Sequence, residues 1–383
     1  MKRLNEVTLD EVMRQAGMPG WRQGVAMPAM WLLGALLCAA LAFPARAAFQ
    51  DPLDLPARVM DNPERRSLQA VALAGQRLVA VGARGLIIVS DDEGVSWRQS
   101  PGPVQSDLVA VQFPTATQGW AVGHDGVILH SQDAGKTWQK QFDGRQAKDA
   151  FSRHYQAKAA TGDEASQAAL ELVERNYAVG PALPLLDVWF EDARRGYAVG
   201  SFGTLLATQD GGRTWEPWLD RIENEDVLNL NAVRGVGGNV YIAAESGMIY
   251  RLDRGAGRFE AITSGYEGSF FGLAGFGDTL LAYGLMGAVY RSSDQGTTWT
   301  ALDTPSQATI TAGIALPESR RFVLVNASGE LLLGNDRRPQ VILEKTERPA
   351  RYTSILPLGH GRFLITSLEG IRTASLPDMS AQR

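Results

Sequence analysis

Four histidines, one cysteine and a recurring aspartate are the groups in this 383-residue chain that chemistry would recruit first. The histidines are His124, His130, His154 and His360, and none stands at a His-x-x-x-His or related metal spacing. His130 falls on an expected strand, where a packed ring is expected rather than a ligand. Cys38 lies inside an N-terminal apolar run, so the rest of the chain has no thiol for nucleophilic or zinc chemistry. The glycines of 235–238 lack the spacing and following helix of a phosphate loop. No catalytic residue, metal, cofactor or small-molecule substrate is therefore expected. A net charge of −5 gives no electrostatic reason to expect nucleic acid.

The aspartates are patterned. Four segments read Ser/Thr-x-Asp-x-Gly-x-Ser/Thr-Trp, at 90–97, 131–138, 208–215 and 292–299. They supply Asp92 with Trp97, Asp133 with Trp138, Asp210 with Trp215, and Asp294 with Trp299. A calcium loop needs several alternating oxygen ligands, and this motif offers one. A tight hairpin uses the same residues well. Aspartate accepts from backbone N–H groups further along the turn, glycine supplies a positive φ, and tryptophan buries a large apolar face. These eight residues are expected to be structural.

The motif belongs to a longer repeat. Seven copies align on Gly85, Gly126, Gly203, Gly247, Gly287, Gly329 and Gly370, with spacings of 41, 77, 44, 40, 42 and 41. Each copy alternates apolar and polar residues, and another apolar stretch precedes it, as at 67–73, 108–113 and 185–190. Each unit thus holds four strands: one upstream, two around the key glycine, and one ending at the aromatic. Four strands in about 40 residues is the pattern of a propeller blade. The expected fold is all-β, a seven-bladed β-propeller spanning 48–383. The repeat also accounts for an excess of glycine (41) and tryptophan (nine). The seventh unit runs out of strand after Leu376, and Leu53 to Met60 is expected to supply its outer strand.

The one long spacing marks an insertion at 141–184, between blades 2 and 3. Apolar residues three and four apart (Phe151 and Tyr155; Leu170, Val173 and Tyr177) predict a helical hairpin turned at Thr161-Gly162-Asp163, with Asp163 as a cap. It could cap the central channel or dock a partner. Residues 1–47 read as a signal peptide with a long n-region. An apolar run from Ala29 to Phe43 follows Arg22 and precedes Ala45-Arg46-Ala47, a small-x-small cleavage pattern near Ala47. Leu37 before Cys38 argues against lipidation. The product is expected to be periplasmic, the alternative being a retained anchor.

The repeats at 119–138 and 196–215 resemble those of the photosystem II stability/assembly factor family, a BNR/Asp-box propeller family. The likeness falls on Gly119-Trp120-Ala121-Val122-Gly123, Gly126, Asp133, Gly135 and Thr137-Trp138, and again on Gly196-Tyr197-Ala198-Val199-Gly200, Gly203, Asp210-Gly211-Gly212 and Thr214-Trp215. The resemblance implies an exported, non-catalytic assembly factor for a membrane complex. Its partners would be a membrane-protein complex or another envelope protein, an envelope exporter being the alternative, and the chain is expected to act as a monomer.

A binding face is expected where the turns at the key glycines meet the links between blades. Arg84, His124, Asp125, Phe202, Glu245, Met286 and Glu369 lie there, with Leu285 and Ser328 beside them. Their variety exceeds what turn chemistry requires and suits protein binding. A sialidase-type glycosidase is the competing class, since such enzymes share the aspartate motif. Arg84, Arg234, Tyr241 and Tyr283 offer the residue types, but the Arg-Ile-Pro signature is absent.

Overall fold

The computed structural model describes residues 50–376 apart from 179, 181, 182 and 347. The expected signal segment and the last seven residues lie outside the described residues. Among the described residues, no helix is long and apolar enough to cross a membrane.

Seven antiparallel sheets follow one another along the chain, and each is a blade. Blade 1 consists of Leu68–Ala74, Arg77–Gly82, Ile87–Ser90 and Arg98–Gln99. The inner strands of blades 2 to 7 are Leu108–Gln112, Leu185–Phe190, Leu230–Val236, Phe270–Phe276, Ile310–Leu316 and Tyr352–Gly359. The second strands are buried nearly throughout, because sheets pack against both of their faces. That explains their near-continuous apolar sequences.

Two details recur in all seven blades. Each inner strand carries a bulge at its second residue: Gln69, Val109, Leu186, Asn231, Phe271, Thr311 and Thr353. The residue just before each inner strand accepts, through its carbonyl, from the first N–H after the second strand. The donors and acceptors are Ala83 to Ser67, His124 to Asp107, Ser201 to Pro184, Glu245 to Asn229, Leu285 to Ser269, Ala327 to Thr309 and Leu368 to Arg351, at 2.9–3.4 Å.

The fourth strand begins after the aromatic rather than ending at it, as Trp97 before Arg98–Gln99 shows. The aspartate turn occupies the intervening residues. In blade 1 the Asp92 carboxylate accepts from the Ser96 N–H at 2.9 Å and the Ser90 hydroxyl at 2.7 Å, while Ser90 Oγ accepts from the Gly94 N–H. Trp97 Nε1 donates to the Gly94 carbonyl, and Trp138 and Trp299 repeat this bond with Gly135 and Gly296. Trp215 departs from the pattern. Its N–H finds no partner, and its ring packs edge-on against Phe190 at 5.8 Å.

The ring closes differently from the expectation. Among the described residues blade 7 has three strands, and Leu53 to Met60 runs along the outside of blade 1. Ala57 N–H donates to the Gly102 carbonyl, Gln99 Nε2 donates to the Arg58 carbonyl, and Met60 N–H donates to Gln99 Oε1. Pro52 and Pro56 lack the N–H groups that a ladder strand needs. Leu53 instead buries its side chain among Val104, Val127 and Trp138, between blades 1 and 2. Closure comes further on. A Cβ on Gly370 would lie 2.3 Å from the Glu64 carbonyl oxygen, just as one on Gly85 would lie 1.9 Å from that of Val104 in the link to blade 2. Residues 61–67 thus take the place of a link from blade 7 to blade 1. Thr353 Oγ1 donates to the Leu68 carbonyl at 2.8 Å across the same seam.

The insertion is a helical hairpin of α1 (Gly144–Ala159) and α2 (Glu164–Asn176). Asp143 caps α1 by accepting from the N–H groups of Arg145 and Gln146, and Asp163 caps α2 through the Ser166 N–H. Ala147, Phe151 and Tyr155 on α1 meet Ala169 and Val173 on α2 in a core shared with Trp120 and Phe190 of blades 2 and 3.

Candidate docking face

The strands run so that the turns at the key glycines and the links between blades share one face, the link face. The aspartate turns emerge on the opposite one, the box face. On the link face five turns carry a non-glycine residue in the left-handed region immediately before the key glycine. These are Arg84 (φ 56°), Asp125 (58°), Phe202 (52°), Ser246 (54°) and Met286 (54°). The glycine that follows lets the next link approach. A Cβ on Gly247 would lie 1.8 Å from the Tyr266 carbonyl oxygen. This clamp fixes the residue before it at the rim of the face.

The structure places six of the seven expected binding residues on these turns and Glu369 on the corresponding turn of blade 7, and divides them by role. Asp125, Glu245 and Glu369 hold the links. Asp125 accepts from the Ser106 hydroxyl at 2.6 Å. Glu245 accepts from the Asn229 N–H and side-chain amide at 2.8 and 3.0 Å. Glu369 accepts from the Arg351 N–H and Nε. Arg84, His124, Phe202 and Met286 are exposed, with Phe202 at 52% and Met286 at 68% of full exposure.

The hairpin sits on the link face at the outer edge, not over the channel. The buried Tyr155 hydroxyl accepts from the Leu219 N–H at 2.9 Å and donates to the Pro217 carbonyl at 3.0 Å, Pro217 ending the outer strand of blade 3 and Leu219 lying just beyond it. Lys158 pairs with Asp220 at 2.9 Å. Burial pushes the Tyr155 pKa well above the usual phenol range. At the far end of α2, Asn176 reaches the Phe202 carbonyl, so the hairpin borders the turn of blade 3.

The sequence reading missed two features. Asp187 and Arg234, on the inner strands of blades 3 and 4, form an ion pair, and Asp187 also accepts from the Val188 and Val233 N–H groups at 2.9 Å. Burial pushes the Asp187 pKa up, opposed by the Arg234 charge. Burial also works against the Arg234 charge, yet Asp187 holds it above its ordinary value. Asp187 stands where five other repeats place Ala70, Ala110, Ala232, Gly272 and Ala312, so a charge at a small-residue position was the available signal. The second feature is Phe271, a bulge residue 38% exposed. Its signal was an aromatic at an offset filled in most repeats by smaller or polar residues.

No convergent catalytic set forms from the sialidase candidates. Arg234 is engaged by Asp187 with Tyr283 nearby, but Tyr283 donates to the Gly313 carbonyl, Tyr241 donates to the Gln295 carbonyl at 2.9 Å, and Arg84 lies on the turn of blade 1. His130 stacks on Trp120 at 4.5 Å, and burial pushes its pKa down. Among the described residues, no three His, Cys, Asp or Glu side chains cluster as metal ligands.

Comparison with known proteins gives three kinds of likeness. The family model described as photosynthesis system II assembly factor YCF48 matches residues 74–147 and 168–336. The gap between the two stretches covers most of α1, the hairpin turn and the start of α2. The chloroplastic photosystem II stability/assembly factor HCF136 of Cyanidioschyzon merolae is 27% identical over 227 residues, covering 54% of this chain and 51% of that protein. The chain therefore spans about half the length of this curated relative. Among solved structures, YCF48 bound to D1 peptide is 15% identical, covers 85% of this chain and 100% of its own, and has a TM-score of 0.60. YCF48 from Cyanidioschyzon merolae is 15% identical over 83% and 97% of the two chains, with a TM-score of 0.56. The WD40 propeller domain of Doa1 is 10% identical over 85% and 97%, with a TM-score of 0.57. Propellers of different names score alike, so these structural likenesses show the fold alone.

Proposed function

Because the chain belongs to the photosystem II assembly factor family, we propose that it is an exported, non-catalytic assembly or stability factor that binds a segment of a membrane-protein complex on its link face. The observation that carries this reading is the contrast among the link-face turns. A shared backbone clamp presents residues as unlike as Arg84, Phe202 and Met286, and neither the clamp nor the core requires their side chains. A relative solved with a D1 peptide supports peptide capture as the mode. Export is read from the apolar run and the small-x-small pattern before Ala48.

Photo-crosslinking tests the proposal. A photoreactive phenylalanine is placed at Met286 on the link face, or at the exposed Val95 on the box face, and the full chain is irradiated with membranes of the source organism. Adducts to a membrane protein are expected from position 286 and not from 95. Adducts from 95 alone, or from neither, would overturn the proposal.

A further inference from the structure

The link face is divided by charge. Over blades 3 to 5 it carries four exposed apolar side chains, Phe202, Phe271, Leu285 and Met286. Hydrogen bonds join these turns into one surface. Phe202 N–H donates to Asn229 Oδ1, Asn229 donates to Glu245, Gly247 N–H donates to the Gly268 carbonyl, and Tyr266 Oη donates to the Leu285 carbonyl. Glu225, Asp226, Glu245 and Glu267 lie on the same turns and links, and none has an ion-pair partner among the described residues. Three bordering cations are occupied, while Arg175 in the last turn of α2 is exposed with no ion-pair partner among the described residues. Arg221 lies over Trp218, Arg258 pairs with Glu223, and Lys158 pairs with Asp220. On the opposite side, from blade 6 to blade 1, Lys345, Arg348 and Arg84 are exposed.

Phe202 and Met286 also occupy left-handed backbone positions, which cost a large side chain more than glycine or asparagine. Neither local conformation nor burial explains their choice, and an unexplained outlier of this kind points to function.

We propose that the sector over blades 3 to 5 docks an extended protein segment carrying large apolar side chains flanked by lysine or arginine. This deepens the proposed function and rests on it. Unpaired carboxylates around an apolar patch attract a cationic, apolar partner and repel an acidic one. They also repel anionic lipid headgroups, which sets a partner protein above the membrane surface.

The test uses the purified full chain and two labelled twelve-residue peptides in a fluorescence anisotropy titration. One peptide alternates Leu or Phe with Lys or Arg, and the other replaces every basic residue with Glu. The basic peptide is expected to bind at least about tenfold more tightly, with the preference shrinking at high salt. Phe202→Asn with Met286→Asn should weaken binding by about tenfold or more while holding or raising the urea midpoint, because asparagine suits both backbone positions. Glu225→Lys with Glu267→Lys should reverse the preference. Arg348→Glu, across the same face, should leave it intact. Equal binding of both peptides, loss only in the arginine variant, or recruitment to anionic vesicles through Met286 would each overturn the inference. Crosslinking from position 286 to a membrane protein would then still stand, so failure here is distinguishable from failure of the proposed function.

Discussion

Gly247 and Gly257 both have φ +65°, so alanine at either pays the same left-handed cost of about 1 kcal/mol. Their surroundings differ. A Cβ on Gly257 meets nothing within 4 Å, whereas one on Gly247 would lie 1.8 Å from the Tyr266 oxygen and 2.6 Å from its carbonyl carbon. Backbone cannot yield as a side-chain tip can, so Gly247→Ala must push the 264–268 link away. That removes the bond from Gly247 N–H to the Gly268 carbonyl (2.6 Å) and the one from Ser264 Oγ to the Gly247 carbonyl (2.8 Å). At about 1 kcal/mol each, Gly247→Ala should cost about 3 kcal/mol and Gly257→Ala about 1 kcal/mol. Urea unfolding followed by tryptophan fluorescence measures both. Equal costs would refute the idea that the key glycines exist to seat the links, leaving only their backbone conformation to explain them.

Two further outcomes are expected. Hydrogen bonds from the Ser96 and Thr298 side chains, then their N–H groups, hold the Asp92 and Asp294 carboxyls at about 2. A lowered pKa favours the ionised folded form, so this stabilisation is complete above the ordinary 3.8 and fades as pH falls toward 2. The urea midpoint of the natural protein should fall across that window, and a double Asp92→Asn, Asp294→Asn variant should show a shallower fall; identical pH profiles would count against the assignment. Tyr155→Phe leaves the Leu219 N–H without its acceptor, at a cost of about 1–2 kcal/mol. It should raise hydrogen exchange and proteolysis within residues 144–176 while the blades stay protected, and unchanged exchange would show that the hydroxyl does not latch the hairpin.

The blades were legible because each is local. Strand alternation, the glycine turn and the aspartate turn all lie within about 40 residues, and every hydrogen bond of the Asp92 turn joins residues at most four apart. The hairpin was legible for the same reason. Its caps at Asp143 and Asp163 and its apolar spacing are contained in the inserted stretch. The repeat also placed Phe202 and Met286 on one face, since a shared offset from the key glycine is enough.

Ring closure depended on partners far apart in sequence. Nothing in Leu53 to Met60 says that it will lie along blade 1, because that depends on the pocket for Leu53 between blades 1 and 2 and on which edge offers Gln99. Asp187 meets Arg234 across 47 residues and two blades. Phe271 reaches the exposed rim only because its inner strand bulges there. The sequence alone determined the repeat, its turns and the face they share, since short-range hydrogen bonding and strand patterning suffice for these. Which links those turns clamp, how the ends meet, and where apolar and acidic groups gather were decided only when the blades packed, because each depends on surfaces that exist only in the closed ring.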